Sequence, residues 1–517
     1  MRFRREAAVS LVVIAAACSG GTDPVSPPPP PPPPGLSSDP PVLAREFRGL
    51  WVATVANIDW PTQQGLTQAA AVNEMRAILD RAMSLRMNAV IVQVRAAGDA
   101  IYPSSLEPWS RVLTGTQGSD PGWDPLDTWI AEAHSRGLEF HAWFNPFRAG
   151  NVSDTSRLAP SHLARARPDL ARIAQGQLWF DPGEPEVQQR TMDVIMDVLS
   201  RYDVDAIHMD DYFYPYPLAG AARPVQFPDD ASWDKYRAAG GADMPRADWR
   251  RQNINAFVQR LYGEVHRLKP SVRVGISPFG IWRPGSPAGI TGLDAYADIF
   301  ADSKKWLEMG WVDYFAPQLY WSLASTGQNF SLLFDWWLSV NAQRRHLWPG
   351  LAAYRVADGS SSQYTANEIV AQIAHVRSKA GLPAGGASGT LLYNTTSVRL
   401  NRGGLADALG ASSFQGVAVV PASPWLDNSA PLAPSLSVTT TATLVRAQWT
   451  RNGTEAVRWW LVQWRTPTEW NARLVWGTLD ALDIPATGVT NQADIIVVSA
   501  VDAAMNASAA AIWRRSP

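Results

Sequence analysis

The feature that most restricts the fold is an alternation. Between about Glu46 and about Pro424, short β-like runs take turns with amphipathic helical stretches, the pattern of βα units wound around a parallel sheet. Eight strand cores are read: Leu50 to Val55, Ala89 to Arg95, Leu138 to Phe144, Val204 to Met209, Val272 to Ser277, Val312 to Gln318, Leu347 to Ala353 and Gly389 to Asn394. Helices are expected over Gln68 to Leu85, Leu126 to Arg136, Glu186 to Arg201, Trp249 to Leu268, Ala297 to Met309, Leu332 to Ala342 and Asn367 to Lys379. Each begins after a cap or turn and ends near Gly, Asn or Pro. Eight units predict an α/β fold of the (β/α)₈ TIM-barrel type with long insertions. An open doubly wound sheet usually has fewer strands and a Gly-rich phosphate loop, and no such loop is present.

The two ends read differently. Arg2, Arg4 and Arg5 form a basic head and Leu11 to Ala17 a short apolar run, the layout of an export signal. That run is too short to span a membrane permanently. Cys18, the chain's only cysteine, follows Ala15-Ala16-Ala17 and precedes Ser19-Gly20. It resembles the lipidated cysteine of a bacterial lipoprotein cleavage box, which would tether the protein to a membrane. Ser19 behind it points to the outer membrane in a cell that has one, with the protein on its periplasmic face. Cysteine catalysis is excluded, because the mature chain would hold no free thiol. Residues 19–45 form a linker in which Pro27 to Pro34 makes a stiff polyproline spacer. After the barrel, assigned to 46–425, residues 432–517 alternate in Thr443 to Trp449 and Arg458 to Gln463 without helix-length periodicity. That predicts a small β-sandwich resembling a fibronectin type III module, a possible surface for envelope protein partners.

A net charge of -2 with both signs interspersed gives no field for holding a polyphosphate, so nucleic acid is not an expected partner. The unusual quantity is tryptophan, 24 residues. Flat aromatic faces stack on the apolar faces of sugar rings, so the composition leans towards carbohydrate; the competing explanation is a Trp-rich core.

In a TIM barrel the active site lies at the C-terminal ends of the strands, and strand parity sorts inward from outward side chains. Gln93 and Arg95 share one face of the second strand; His141, Trp143 and Asn145 share one of the third; His208 and Asp210 share one of the fourth; Tyr314, Gln318 and Tyr320 share one of the sixth. A barrel built only for stability would place aliphatic residues there, since each buried polar group needs a partner. The set therefore predicts a polar substrate pocket.

Glycoside hydrolysis needs two carboxyl groups flanking the scissile bond. Asp210 and Asp211 stand together in His208-Met209-Asp210-Asp211-Tyr212-Phe213-Tyr214-Pro215, and parity points Asp210 into the barrel mouth. The second carboxyl is sought in the loop after strand two. There Glu107, between Leu106 and Pro108-Trp109, suits a general acid of raised pKa, with Asp99 as its rival. A metal reading in which His141, His208 and Asp210 converge has weaker support, because neither histidine belongs to a spaced metal motif. Neither a metal nor a cofactor is expected.

Phe47-Arg48-Gly49-Leu50-Trp51-Val52, Gln93-Val94-Arg95, Gly98-Asp99-Ala100-Ile101-Tyr102, His141-Ala142-Trp143-Phe144-Asn145-Pro146, Asp210-Asp211-Tyr212-Phe213-Tyr214-Pro215, Gly275-Ile276-Ser277-Pro278-Phe279-Gly280-Ile281-Trp282 and Pro317-Gln318-Leu319-Tyr320-Trp321 together resemble the glycosyl-hydrolase-like family ten of bacterial lipoproteins. The likeness spans nearly the whole barrel. It implies a hydrolase of peptidoglycan glycan strands already stripped of stem peptides, a periplasmic site of action and a link to cell division. On this reading Glu107 is the acid, Asp210 the second carboxylate and Asp211 a positioning or substituting acid. Arg95, Asp99, Asn145, His208, Tyr212, Gln318 and Tyr320 would hydrogen-bond the sugar, and Trp109, Trp282 and Trp321, with Trp143 more structural, would stack on it. Two alternatives stay open: a catalytically dead barrel that binds glycan, and a glycosidase acting on another extracellular polysaccharide.

Overall fold

A computed structural model describes residues 36–151, 153–218, 223, 226–381, 386–486 and 492–515. The export signal, Cys18 and the proline run Pro27 to Pro34 lie outside the described residues. Barrel strands form at Phe47–Val52, Ala89–Arg95, Glu139–Phe144, Ala206–Met209, Arg273–Ile276, Tyr314–Phe315, His346–Leu347 with Gly350–Ala352, and Gly389–Tyr393. All pair in parallel, each with its neighbour in sequence. The seventh strand is split at Pro349, which has no N–H to give a ladder. Its first half pairs with strand six and its second half with strand eight. Strand eight in turn pairs with strand one, so the sheet closes on itself as an eight-stranded barrel.

The expected helices are present, with bounds shifted by a few residues. Thr67 caps Gln68–Ser84 by accepting from the Ala70 amide, and Asp124 caps Pro125–His134, which carries proline in its first turn. The stretch expected as one helix from Ala297 to Met309 is instead two short helices, Ala295–Asp298 and Ser303–Glu308. A three-stranded antiparallel sheet of Arg148–Gly150, Ala171–Ala174 and Gln177–Phe180, which periodicity did not reveal, follows the third barrel strand. Among the described residues no helix is long and apolar enough to cross a membrane.

The barrel interior is aromatic and polar. Phe47 and Trp348 stack at 3.8 Å, and Tyr314 stacks on Trp348 at 4.8 Å. Space for the Tyr314 ring comes from Gly275, where an added Cβ would stand 1.9 Å from Tyr314 Cζ. At the base of the interior Arg273 pairs with Glu139 at 2.6 Å, both buried.

The C-terminal segment is a sandwich of a three-stranded sheet, Ser435–Thr440, Leu444–Thr450 and Ala481–Pro485, and a four-stranded sheet, Trp459–Arg465, Trp470–Trp476, Ile495–Val501 and Ala511–Arg514. Seven antiparallel strands split three and four match the expected β-sandwich. It packs on the N-terminal ends of the barrel strands, away from the strand exits. There Arg458 reaches Asp205, just ahead of strand four, at 2.7 Å, and Asp203 at 2.7 Å. Asp205 also accepts from the Phe140 amide at 2.8 Å and meets His134 at 2.9 Å. Burial by itself would push the Asp205 carboxyl up; Arg458 and His134 outweigh it and hold it well below the usual range.

Replacing Arg458 with leucine leaves a buried carboxylate without its main partner, and such losses destabilise by about 3–5 kcal/mol. Denaturant unfolding of Arg458→Leu at neutral pH should show this drop. The penalty should shrink on acidification towards the ordinary carboxylate pKa and below, because a depressed acid contributes stability only above its unfolded pKa. An unchanged midpoint at pH 7 would remove Arg458 from the inter-domain clamp.

Candidate active site

At the C-terminal mouth of the barrel lies a cavity of about 370 Å³. Strands one and two contribute Trp51 and Gln93, strand three and its exit Trp143 and Asn145, strand four Asp210 with Asp211 after it, and strand five Ser277. Gln318 and Tyr320 follow strand six, Tyr354 follows strand seven and Tyr393 ends strand eight. Arg148 and Tyr212 complete the rim. A larger cavity, about 630 Å³, is at the other end of the barrel around Glu46. Its carboxylate is already consumed by Arg48 at 2.7 Å and Arg377 at 2.6 Å, so that space offers no free acid.

Asp210 and Asp211 are the only carboxylates lining the mouth cavity among the described residues. Asp210 Oδ2 accepts from the Trp143 indole at 3.0 Å and Oδ1 from the Tyr212 amide at 3.1 Å. Asp211 accepts a short hydrogen bond from the Tyr216 hydroxyl. Burial, then the neighbouring Asp211 charge, pushes the Asp210 carboxyl up to about 8. Burial also raises Asp211, against the pull of the Tyr216 hydroxyl and the Gln318 amide. Two like charges side by side in a dry site cannot both ionise readily, so at neutral pH the pair holds a proton. Among the described residues, the Arg148 charge draws on both acids, and its guanidinium lies 4.9 Å from the Tyr212 ring centre.

Beneath the cavity a hydrogen-bond chain runs along the barrel axis. His141 Nε2 meets Glu139 at 3.1 Å and Nδ1 meets the Tyr314 hydroxyl at 2.9 Å. The same hydroxyl meets His208 Nδ1 at 2.9 Å, and His208 Nε2 meets Ser277 Oγ at 3.1 Å and the Trp51 indole at 3.3 Å. A carboxylate only accepts, so His141 carries its hydrogen on Nε2 and accepts from Tyr314 on Nδ1. Tyr314 oxygen then accepts from His208 Nδ1, and His208 Nε2 accepts from Trp51 and Ser277. Burial, with His141 beside it, pushes His208 well down and keeps it neutral. Every ring nitrogen of the two histidines has a protein partner, so the convergence with Asp210 on a metal that the sequence allows does not form.

Several sequence-read residues fall elsewhere. Glu107 and Arg95 are not in the cavity: they form a buried pair at 2.5 Å, and Arg95 also donates to the Asn145 and Pro146 carbonyls at 2.6 and 2.9 Å. Parity fails at Arg95 because the second strand has a bulge. Gln93 pairs with Trp143 but Arg95 with Phe144, so Val94 is an extra residue and Arg95 turns to the outer face. Asp99 lines an adjoining cavity of about 280 Å³, which shares Val55, Ala56 and Asn151 with the main one. His208 lies below the cavity floor, fully buried. Trp109, Trp282 and Trp321 are half-buried against the core, with Trp282 stacked on Trp336 at 5.9 Å, and none lines the cavity. Asp210, Asp211, Asn145, Tyr212, Gln318 and Tyr320 do come together there. The sequence reading did not single out Trp51, Tyr393, Arg148, Tyr216 or Tyr354. Carrying strand parity on to strands one and eight would have reached the first two; the others come from the connections beyond the barrel strands, Arg148 from the small inserted sheet, where barrel parity gives no guide.

Set beside known proteins, the chain matches the family model described as Glycosyl hydrolase-like 10 over residues 46–366. It is similar to the glycosyl hydrolase YngK of Bacillus subtilis (strain 168), 40% identical over 404 residues, covering 77% of this chain and 77% of that protein. It is also similar to the glycosyl hydrolase DigH of Escherichia coli (strain K12), 35% identical over 348 residues, covering 62% of this chain and 77% of the relative. Among solved structures, the PgaB (BpsB) glycoside hydrolase domain from Bordetella bronchiseptica aligns at 13% identity and a TM-score of 0.48, covering 71% of this chain and 98% of that one.

Two stability measurements follow from the geometry. The Asp210 carboxyl is raised when folded, so its contribution to stability should fall as pH rises from about 4 through about 8, and Asp210→Asn should remove that contribution, gaining about 2–5 kcal/mol relative to wild type between pH 5 and pH 9. An equal difference at pH 5 and pH 9 would contradict the buried protonated acid. Glu107→Ala should destabilise by about 3–5 kcal/mol at pH 7 in denaturant melts, by stranding Arg95; a neutral result would break the case for a structural pair.

Proposed function

This chain belongs to the glycosyl hydrolase-like 10 family, and from that premise we propose that it cleaves the glycan strands of peptidoglycan with Asp210 as general acid and Asp211 as the accompanying carboxylate. That it is a glycoside hydrolase is given by the family; the substrate and the roles of the acids are our reading. The observation that carries it is the buried acid pair at the barrel mouth, in which the Asp210 carboxyl is pushed up to about 8. A leaving sugar oxygen must be protonated as its bond to the anomeric carbon breaks, and an acid whose pKa lies near the working pH does this best. Trp51, Tyr320, Tyr354 and Tyr393 offer aromatic faces to an apolar sugar face. Asn145 lines the cavity with an Nδ2 that makes no hydrogen bond within the protein, its Oδ1 being held by Gln93 at 2.8 Å. It is a ready donor for a sugar hydroxyl or carbonyl.

Peptidoglycan is favoured over a soluble sugar by the N-terminal sequence. An export signal, a lipidated Cys18 and a stiff proline stalk would hold the barrel off the outer membrane, on its periplasmic side, within reach of the wall. The sandwich, clamped to the far end of the barrel, leaves the mouth open and is free to meet envelope proteins.

The test is digestion of purified peptidoglycan, with and without prior amidase treatment, by the full chain and three variants. Stripped glycan alone should be cut. Asp210→Asn and Asp211→Asn should each lower the rate by about 10²–10⁴-fold, while Glu107→Gln should retain cutting at temperatures where it stays folded. Because the acid acts in its protonated form, kcat/KM should decline as pH rises through about 8. Binding of stripped glycan with no release of fragments would replace this reading with that of a glycan-binding barrel.

A further inference from the structure

The two acids stand on one wall. In an eight-stranded barrel, strand four lies diametrically across from strand eight, with strands one and seven beside the latter. The wall facing Asp210 and Asp211 is therefore made by Trp51, Tyr354 and Tyr393, with Val55, Ala56 and Ile58 after strand one. It presents no carboxylate to the cavity among the described residues: Asp59, near Tyr393, is buried and held by the Ala53 amide and by Thr396. The undescribed segments of the barrel, 152, 219–222, 224–225 and 382–385, contain no Asp or Glu in their sequence.

Common glycosidase mechanisms place one carboxyl group on each side of the scissile bond, the second attacking the anomeric carbon or activating a water there. Here the second side has only aromatic and aliphatic side chains among the described residues. The tyrosines are poor nucleophiles in this setting, because burial pushes the Tyr354 and Tyr393 hydroxyls up and keeps them protonated. An attacking group on that side must come with the substrate.

We propose that hydrolysis is substrate-assisted: the 2-acetamido group of the sugar bound at the mouth is the nucleophile, and Asp211 steadies it while Asp210 protonates the leaving oxygen. This rests on the glycan-hydrolase reading above and deepens it, since it restricts the enzyme to N-acetylated amino sugars. In the first step the acetamido carbonyl oxygen forms a bond to C1 as the bond from C1 to the leaving oxygen breaks. The electron pair goes to that oxygen, which takes the Asp210 proton. The resulting oxazolinium cation hands its N–H proton to the Asp211 carboxylate or holds it in a charge-assisted hydrogen bond. In the second step water adds to C1 from the vacated side and gives a proton to the Asp210 carboxylate. The bond from C1 to the acetamido oxygen breaks, the amide regains its proton, and the product keeps the anomeric configuration of the substrate.

The geometry gives each acid the partners this needs. Asp210 is oriented by the Trp143 indole and the Tyr212 amide, both on its own wall, and Asp211 by Tyr216. Of the charged side chains around them, Arg148 alone is basic, which limits the positive charge competing with the cation.

The experiment uses the full chain and amidase-stripped glycan strands in three forms: native, chemically de-N-acetylated, and re-N-acetylated. Native and re-N-acetylated strands should be cut. The de-N-acetylated form should lose at least about 100-fold in kcat while still binding, because the internal nucleophile and its effective molarity are gone. The product should form with retention, read by proton NMR of the first-formed anomer. A thiazoline analogue of N-acetylglucosamine, which copies the cyclised intermediate, should inhibit competitively. Cutting of de-N-acetylated strands within a few-fold of native, inversion at C1, or indifference to the thiazoline while native glycan is cut would overturn substrate assistance and leave the hydrolase reading standing. If none of the three strands is cut, the hydrolase reading fails and takes this inference with it.

Discussion

The barrel is organised around a line of hydrogen bonds that starts at a buried ion pair. Arg273 fixes Glu139 at the base, Glu139 fixes His141, and Tyr314 relays between His141 and His208. His208 then holds Ser277 and Trp51, which form part of the cavity surface. In a dry interior each of these polar groups would be costly without a partner, and the chain satisfies them in sequence. Direction matters too: because the Glu139 end can only accept, every hydrogen along the line is oriented, and Trp51 presents its ring in one fixed pose. Aliphatic residues would have packed the same space with less risk. The polar line gives up that safety in return for a pocket floor whose donors cannot swing.

The same physics sets the acids above it. Desolvation raises Asp210 and Asp211, and the Asp211 charge raises Asp210 further, while Trp143, Tyr212 and Tyr216 restrain their orientations. Neither effect requires a distant residue to supply charge, which is why two consecutive side chains suffice to hold a proton in the pocket. The Arg95–Glu107 pair, by contrast, contributes through structure. By donating to the carbonyls of Asn145 and Pro146, Arg95 fixes the turn that places Asn145 at the rim.

Tryptophan shows how composition can mislead about location. Nine of the largest fully buried side chains are tryptophans, among them Trp60, Trp129 and Trp348, and only Trp51 and Trp143 line the cavity. The large aromatic load is mainly the packing of a wide barrel, its helical layer and the sandwich. The pocket takes its aromatic walls chiefly from tyrosine, whose hydroxyl tolerates the wet edge of a cleft.

What the sequence alone determined was whatever depends on local periodicity. Strand and helix spacing specified eight βα units, alternation after the barrel specified the sandwich, and parity brought Asn145, Asp210 and Gln318 to one pocket, since neighbouring side chains on a strand must face opposite ways. What only the tertiary structure decided was whatever depends on a break in that periodicity or on distance through space. A bulge of one residue at Val94 turned Arg95 out of the barrel and made Glu107 its partner. Connections beyond the barrel strands brought in Arg148, from the small inserted sheet, Tyr216 and Tyr354. The closure of the sheet, strand four against strand eight, put both acids on one wall. The sequence reading, seeking a carboxyl for each side of the bond, chose Glu107. A chain can state the order of its strands, but which side chains confront each other across the barrel is fixed only when strand seven joins strand eight to strand six.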